Sequence, residues 1–103
     1  MNTQNHVNGI KVTDVIIFPV KTDEKSNKTK AFAKVVLNDQ FIISGIRIVD
    51  GVNGPFIGFP QEASKDKSNY YDICFPTTAE LRTYLSSEVI EQYKLTLNLE
   101  GRQ

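Results

Sequence analysis

Apolar residues recur at every second position over several short stretches in the first three quarters of the chain. Alternation with period two and an abundance of Val, Ile and Phe are typical of β-strands. On this basis we predict five strands, over residues 12–20, 30–37, 40–49, 55–59 and 70–75. Pro19 has no backbone N–H to donate, so we expect the first strand to lie at an edge of the sheet.

The dipeptide Asn38-Asp39 separates the second and third predicted strands. Both residue types tolerate positive φ, which a type I′ hairpin turn requires at its two central positions. A two-residue loop at this point predicts that Val36 lies opposite Phe41 and that Val35 lies opposite Ile42.

Both faces of this predicted hairpin are apolar. We expect one face to carry Ala31, Ala33, Val35, Ile42, Ile46 and Ile48, and the other to carry Phe32, Val36, Phe41, Ile43 and Val49. A single helix can cover one face. The other face is covered either by a sheet that folds over on itself or by a second subunit. We favour the homodimer, because large exposed apolar patches are uncommon on small monomers.

One helix is predicted near the C-terminus, where apolar residues follow a spacing of three and four: Leu81, Tyr84, Leu85, Val89 and Tyr93. Thr77 and Glu80 have the spacing of a capping box, and Pro76 marks the boundary. Beyond Tyr93, the leucines of residues 95–99 are compatible with a longer helix or with a short strand.

Length and composition indicate one soluble globular domain. The chain has 103 residues, 40% apolar and 23% charged, with 12 basic and 12 acidic residues and a formal net charge of zero. We expect a disordered leader over residues 1–9, an α+β domain over 10–95 and a tail over 96–103. The charge balance argues against a protein that binds phosphates through an overall positive charge, and it leaves a local basic patch as an alternative.

Nothing in the composition favours an enzyme. The single cysteine, Cys74, allows no internal disulfide, and we expect it to be a small buried residue. His6, the one histidine, falls in the predicted leader, so neither a Cys–His pair nor a zinc site is expected, and no cofactor. The polar first residues lack the apolar core of a secretory leader, and no apolar run is long enough to span a membrane. We therefore expect a cytoplasmic protein.

The candidate nucleic-acid contacts are four basic residues: Arg47, Lys65, Lys67 and Arg82. Arg47 is a fixed charge in the third strand, and a structural ion pair with Asp50 or Asp72 is at least as good an interpretation as a phosphate contact. The two lysines lie in a polar loop over residues 61–69, and Arg82 lies on the helix off its apolar stripe. Tyrosines 70 and 71 are candidates for stacking on bases, and strand alternation leaves at most one of them free.

The pattern of the central segment resembles the SpoVG family, the stage V sporulation protein G or septation protein. The resemblance is carried by residues 11–15 (KVTDV), by residues 46–60 (IRIVDGVNGPFIGFP), and by Asp72-Ile73 followed by Pro76 and a helix reaching Tyr93. It implies a small α+β domain with an antiparallel sheet and a C-terminal helix, forming a homodimer. It also implies a bacterial regulator of septation, sporulation and gene expression that binds DNA, and in some members RNA.

Four positions depart from the pattern of that family. Glu62-Ala63 stand where the family usually has a basic pair, Tyr71 stands at a commonly basic position, and Phe75 replaces a frequent histidine. These departures leave two hypotheses. One is a dimeric nucleic-acid-binding regulator. The alternative is a divergent dimeric member that acts through protein contacts made by the loop or by the helix surface.

Overall fold

The computed structural model describes residues 6–20 and 28–99. Six strands precede one helix: β1 (Val12–Pro19), β2 (Thr29–Leu37), β3 (Phe41–Gly51), β4 (Gly54–Gly58), β5 (Gln61–Ala63), β6 (Tyr70–Asp72) and α1 (Ala79–Leu99). Strands β1 to β4 form an antiparallel meander in chain order, and β5 pairs with β6 in a second sheet. The predicted α+β class and the C-terminal helix are confirmed, and β1 lies at an edge as Pro19 indicated.

The predicted single sheet of five strands is wrong, because the chain divides its strands into sheets of four and two. Strand β5 is three polar or small residues long and has no apolar alternation to indicate it. Strand β5 is defined by its pairing with β6. Strand β6 ends at Asp72, three residues before the predicted end at residue 75. We refer to residues 61–72, which comprise β5, β6 and the turn between them, as the arm.

The turn between β2 and β3 has the predicted backbone but not the predicted register. Asn38 and Asp39 have φ values of 53° and 57°, in the left-handed region that the sequence indicated. The Gln40 N–H closes the turn on the Leu37 carbonyl at 3.0 Å, yet Leu37 pairs with Phe41, so Gln40 is an additional loop residue.

This additional residue shifts the pairing by one position. Val36 lies opposite Ile42 and Val35 opposite Ile43, so Ile43 packs towards the core and Ile42 faces outward. The predicted faces are therefore wrong for these two isoleucines and for Phe41, which lies opposite Leu37 on the core-facing side. A bulge between the pairs Val35↔Ile43 and Ala33↔Ile46 then restores the later residues of β3 to the predicted face. Gly45 lies in this bulge with φ at 85°, a conformation that side chains disfavour.

The core lies between α1 and one face of the four-stranded sheet. Its buried residues are Ala31, Ala33, Val35, Ile46, Ile48, Phe59, Leu85 and Val89. The helix begins one residue later than the predicted capping box implies, because the N–H of Leu81 donates to Thr78 Oγ1 at 3.1 Å. Thr78 is thus the N-cap, and Thr77 is not. The helix continues without a break to Leu99, which settles the open alternative for residues 95–99.

Ordered structure begins before the predicted domain start at Ile10. Val7 is buried and exchanges two backbone hydrogen bonds with Ile10, at 2.9 and 2.8 Å. The Asn38 side chain fixes this turn by donating to the Gly9 carbonyl and accepting from the Lys11 N–H. The predicted disorder is therefore wrong for residues 6–9, and residues 1–5 lie outside the described part of the chain.

The face of the four-stranded sheet that points away from α1, which we call the outer face, is apolar and open. Five large apolar side chains on it remain 37 to 52% exposed: Ile16, Phe18, Phe32, Ile42 and Phe56. Lys34 lies over the Phe18 ring at 5.6 Å from its centroid. Among the described residues the sheet does not fold over to cover this face, which was one of the two alternatives left by the sequence.

Candidate nucleic-acid interface

The tip of the arm is a turn closed by its own hydrogen bonds. Asp66 Oδ1 accepts from Ser64 Oγ at 2.7 Å, from Ser68 Oγ at 2.7 Å and from the Ser68 N–H at 3.0 Å. Backbone bonds from Lys67 to Ser64 and from Ser64 to Asn69, both 2.9 Å, close the turn further. The turn holds Lys67 at a φ of 62° and leaves its side chain exposed.

These donors lower the pKa of Asp66 to about 2, chiefly through the Ser68 and Ser64 hydroxyls. The carboxyl is therefore ionised throughout the physiological range and keeps all three hydrogen bonds. Lys65 and Lys67 flank it in sequence and are both exposed. The tip thus presents two cations on a backbone that is ordered before any partner arrives.

Arg47 lies at the base of the arm, on the outer face of the sheet. Its cross-strand partners are Phe32 on β2 and Gly58 on β4. Its Nη2 donates to the Phe59 carbonyl at 3.5 Å, and this is the hydrogen bond that anchors the side chain. An ion pair with Asp50 or Asp72 does not occur among the contacts of the described residues.

Gly58 makes room for this arginine. A Cβ at position 58 would overlap Arg47 Nη2 and lie 2.8 Å from Cζ. The absence of a side chain at Gly58 therefore lets the guanidinium pass over β4 and reach the Phe59 carbonyl, two residues before the arm.

Arg82 reaches the same junction from α1. It lies over the Phe59 ring, 5.5 Å from the centroid, and its Nη2 donates to the Pro76 carbonyl at 3.3 Å. Arg47 and Arg82 therefore contact Phe59 through its carbonyl and its ring, respectively. The structure brings these two predicted residues together at the base of the arm, and it places Lys65 and Lys67 at the tip.

Both tyrosines of β6 are exposed, Tyr70 by 66% and Tyr71 by 52%. The expectation that at most one would be free is therefore wrong. It assumed a strand with one buried face, whereas β6 belongs to a two-stranded ribbon, and both tyrosines point into solvent. The arm offers aromatic surface between the arginines at its base and the lysines at its tip.

Cys74 is exposed, so the prediction of a buried cysteine is also wrong. Strand β6 has ended before it, and the Ile73 N–H closes the ribbon by donating to the Pro60 carbonyl at 2.7 Å. Cys74 and Phe75 instead line an apolar cleft of about 120 Å³ beside α1. The side chain of Ile73 is 59% exposed, and that of Phe75 is 50% exposed.

Charge is distributed unevenly between the two edges of the sheet. An open cleft of about 320 Å³ between β1 and α1 is lined by three acidic side chains, Asp14, Glu88 and Glu91. Burial, and then repulsion from Glu91, raises the pKa of Glu88. The arm follows β4, the opposite edge strand of the sheet. The acidic cleft therefore lies at the β1 edge, and the four candidate basic residues lie near the β4 edge or in the arm.

Neither a metal-binding cluster nor a membrane-spanning helix occurs among the described residues. Within residues 6–20 and 28–99, three or more His, Cys, Asp or Glu side chains do not cluster in a way that could hold a metal ion. In the same ranges no helix is long and apolar enough to cross a membrane.

Sequence analysis did not detect two features of this site. The role of Phe59 in joining Arg47 to Arg82 depends on contacts between β3, β4 and α1, which leave no local signal. The pairing of Glu62 with Tyr71 and of Ala63 with Tyr70 was hidden because β5 has no strand pattern. Two of the positions that depart from the resembled family, Glu62 and Tyr71, thus form one cross-strand pair.

The fold and this arm define a small α+β domain: a four-stranded meander backed by one helix, with a separate two-stranded arm. A family model described as SpoVG matches residues 10–95. This match covers most of the chain, and the protein belongs to the SpoVG family.

Curated relatives span nearly the whole chain. Relatives from Bdellovibrio bacteriovorus and Macrococcus caseolyticus are 29% and 33% identical over 89% and 88% of this chain, and the alignments cover 81% and 76% of those proteins. One from Clostridium perfringens is 29% identical over 91% of this chain and 100% of its own length. Each carries the name "Putative septation protein SpoVG".

Proposed function

We propose that this protein is a dimeric nucleic-acid-binding regulator linked to septation and sporulation, acting in the cytoplasm without catalysing a reaction. The observation that carries the proposal is the arm, which combines exposed tyrosines with two exposed lysines at its tip and has Arg47 and Arg82 near its base. Aromatic and basic side chains in alternation are the combination that nucleic-acid-binding surfaces use. The septation link rests on membership of the family and on the names of its relatives.

The outer face supports the dimer. Its five exposed apolar side chains form a patch that a second copy would cover by stacking sheet on sheet. Phe32 is near the middle of this patch, since its cross-strand partners are Phe18 and Arg47.

Light scattering tests the dimer. We expect twice the chain mass of 11.6 kDa for the natural protein. We expect a monomer for Phe32→Glu, because a buried unpaired carboxylate is costly at an interface. Phe75→Glu is the matched control, because Phe75 is 50% exposed against 43% for Phe32 but lines the cleft beside α1. A natural protein that is monomeric at micromolar concentration would rule out the dimer.

Fluorescence anisotropy with labelled DNA and RNA at low salt tests the binding. Lys65, Lys67, Arg47 and Arg82 are the proposed phosphate contacts. Reversing the charge of the two tip lysines with Lys65→Glu and Lys67→Glu should weaken binding. It should also reduce the slope of log affinity against log salt, since fewer counterions are released. Arg47 also lies on the outer face, so its variants must be checked for dimerisation first. Absence of binding to every nucleic acid at low salt would contradict the proposal.

A second candidate function, docking of a protein partner, is favoured by one observation. Cys74 and Phe75 line an apolar cleft, and Ile73, which precedes Cys74 in the chain, is also exposed. Exposed aromatic residues beside a cleft are typical of binding hot spots. Capture of a specific partner that Phe75→Glu abolishes, by a protein that binds no nucleic acid, would establish this alternative in place of the first.

A further inference from the structure

We propose that Tyr70 is a stacking platform for an unpaired base, so that the arm binds single-stranded nucleic acid in preference to duplex. This inference rests on the proposed nucleic-acid function and specifies its substrate class. In this proposal the Tyr70 ring stacks on a base, and the two lysines at the tip of the arm contact neighbouring phosphates.

The accessibility of Tyr70 carries the first step. The side chain is 66% exposed, and its cross-strand partner is Ala63, whose methyl group leaves one side of the ring open. Asp72 lies two residues away on the same face of the strand, and its Oδ1 accepts a hydrogen bond from Gln61 Nε2 at 3.0 Å. An aromatic ring held on a paired strand and open to solvent is suited to stacking on a base of any sequence.

Tyr71 differs from Tyr70 in its neighbour. Adjacent residues of a strand point to opposite faces, and the partner of Tyr71 across the ribbon is Glu62. Directly opposed side chains are about 5 Å apart at Cβ, so a base on Tyr71 would bring its phosphate towards a carboxylate. The two tyrosines therefore offer similar aromatic surface, but Tyr71 has a carboxylate directly opposite it. The carboxylate on the face of Tyr70, Asp72, is two residues away and accepts a hydrogen bond from Gln61.

The tip supplies the phosphate contacts beside Tyr70. Lys67 precedes Tyr70 by three residues, and its conformation is fixed by the bond from its N–H to the Ser64 carbonyl. The three hydrogen bonds accepted by Asp66 hold the rest of the turn. Because the turn is already ordered, binding need not order it, and that saves conformational entropy.

The charges of the arm favour stacking over phosphate attraction as the main source of affinity. The arm carries two lysines and three carboxylates, Glu62, Asp66 and Asp72. A duplex offers mostly phosphates, because its bases are paired and stacked, whereas a single strand exposes base faces. An arm with an aromatic ring and no cationic surplus therefore selects the single strand. Two lysine contacts give a slope of log K against log salt of about −1.4 at most.

Fluorescence anisotropy of the full chain tests this inference. The probes are a labelled oligo-thymidine strand and a duplex, both of about 12 nucleotides, which suits single-strand sites of this kind. We expect the single strand to bind more tightly at the same salt. Tyr70→Ala should weaken single-strand binding roughly 5- to 100-fold, the loss typical of one stacking contact.

Three further variants make the comparison specific. Tyr70→Phe should retain the affinity because it keeps the ring, and Tyr70→Leu should lose it because it keeps only apolar surface. Tyr71→Ala, in the same strand, is the comparison and should weaken single-strand binding less than Tyr70→Ala does, because Glu62 lies opposite Tyr71. Thermal unfolding of each variant reports whether the arm variants fold as the natural protein does.

The outcomes separate this inference from the proposed function. Tight binding to duplex that Tyr70→Ala leaves unchanged would overturn the stacking role and leave nucleic-acid binding in place. Failure to bind either probe at low salt would overturn both. Loss of a captured protein partner in Tyr70→Ala, with oligonucleotide binding intact, would show that the ring serves a protein contact and would also overturn the inference.

Discussion

The body of the molecule and its arm are stabilised in different ways. In the body, β1 to β4 and α1 bury a continuous apolar cluster that includes Ile46, Ile48 and Val89. In the arm, two three-residue strands and a hydrogen-bonded turn hold the backbone, while the large side chains Tyr70 and Tyr71 stay exposed. The body therefore gains its stability from packing and the arm from local hydrogen bonds.

This difference separates stability from binding. A buried residue of the body cannot change without a cost in stability, because close-packed interiors respond to the loss of even one methylene. A residue of the arm can change its side chain at little cost to the fold. The arm is consequently the part of the chain in which a new binding preference can appear while the domain is retained.

The largest expected effect is in the body. Ile48→Ala removes a fully buried side chain from β3 and should destabilise the protein by about 2 to 5 kcal/mol. Urea unfolding measures the change, with Tyr70→Ala in the arm as the comparison. If Tyr70→Ala destabilised the protein as much as Ile48→Ala, the arm would contribute to global stability as the core does, which would contradict the comparison.

Gly58→Ala tests the junction between the regions. The new methyl group must displace the Arg47 guanidinium, which ends the contact with the Phe59 carbonyl. Because a flexible side chain moves and the backbone does not, the cost in stability should be below about 1 kcal/mol. A crystal structure of the variant shows whether Arg47 has moved. An unmoved guanidinium would contradict this account of the junction.

Asp66→Ala tests the tip alone. The variant loses the acceptor of three hydrogen bonds, so the Ser68 amide should exchange its hydrogen faster while the global unfolding transition stays unchanged. Hydrogen exchange followed by NMR measures both. A global shift in the transition would mean that the tip contributes to the core.

The same turn should be sensitive to acid. The pKa of Asp66 is depressed from 3.8 to about 2, so its contribution to the turn is complete above pH 4 and lost as the pH falls towards 2. Protection of the Ser68 amide, corrected for the intrinsic pH dependence of exchange, should be constant from pH 5 to 7 and should decline below about pH 4. A decline centred near neutral pH would implicate another group.

The smallest effect is expected at the acidic cleft. The pKa of Glu88 is raised, first by burial and then by Glu91, so its ionised form disfavours the folded state at neutral pH. Glu88→Gln should therefore stabilise the protein by a few tenths of a kcal/mol at pH 7, and the gain should vanish below the ordinary carboxyl pKa. Glu80→Gln in the first turn of α1 is the control, since a carboxylate there favours the helix. Destabilisation by Glu88→Gln would contradict the assignment.

The body was largely predictable from sequence, and the arm was not. Alternation in β1 to β4 and the helical spacing of Leu81, Leu85 and Val89 report burial against one face, which is a local signal. The predicted register of β2 and β3 is wrong by one residue because Gln40 belongs to the loop. Its N–H closes the turn on the Leu37 carbonyl, and Leu37 then pairs with Phe41.

Strand β5 has no such signal, since its residues Gln61 and Glu62 are exposed. Strand β5 forms because it pairs with β6. Both tyrosines of β6 are exposed because, among the described residues, no further layer packs on this two-stranded ribbon. The same reasoning explains Cys74, which was expected to be buried within a strand that ends two residues earlier. The contacts of Arg47 and Arg82 with Phe59 could be found only once three elements had been placed together.

The most direct measurement is an NMR titration of the ¹⁵N-labelled full chain with the oligo-thymidine strand. The account predicts that the amide shifts change over residues 61–72 and at Arg47 and Arg82, and that Tyr70→Ala removes most of the change in the arm. Shift changes confined to the acidic cleft of β1 and α1, or to the cleft beside Cys74 and Phe75, would contradict it.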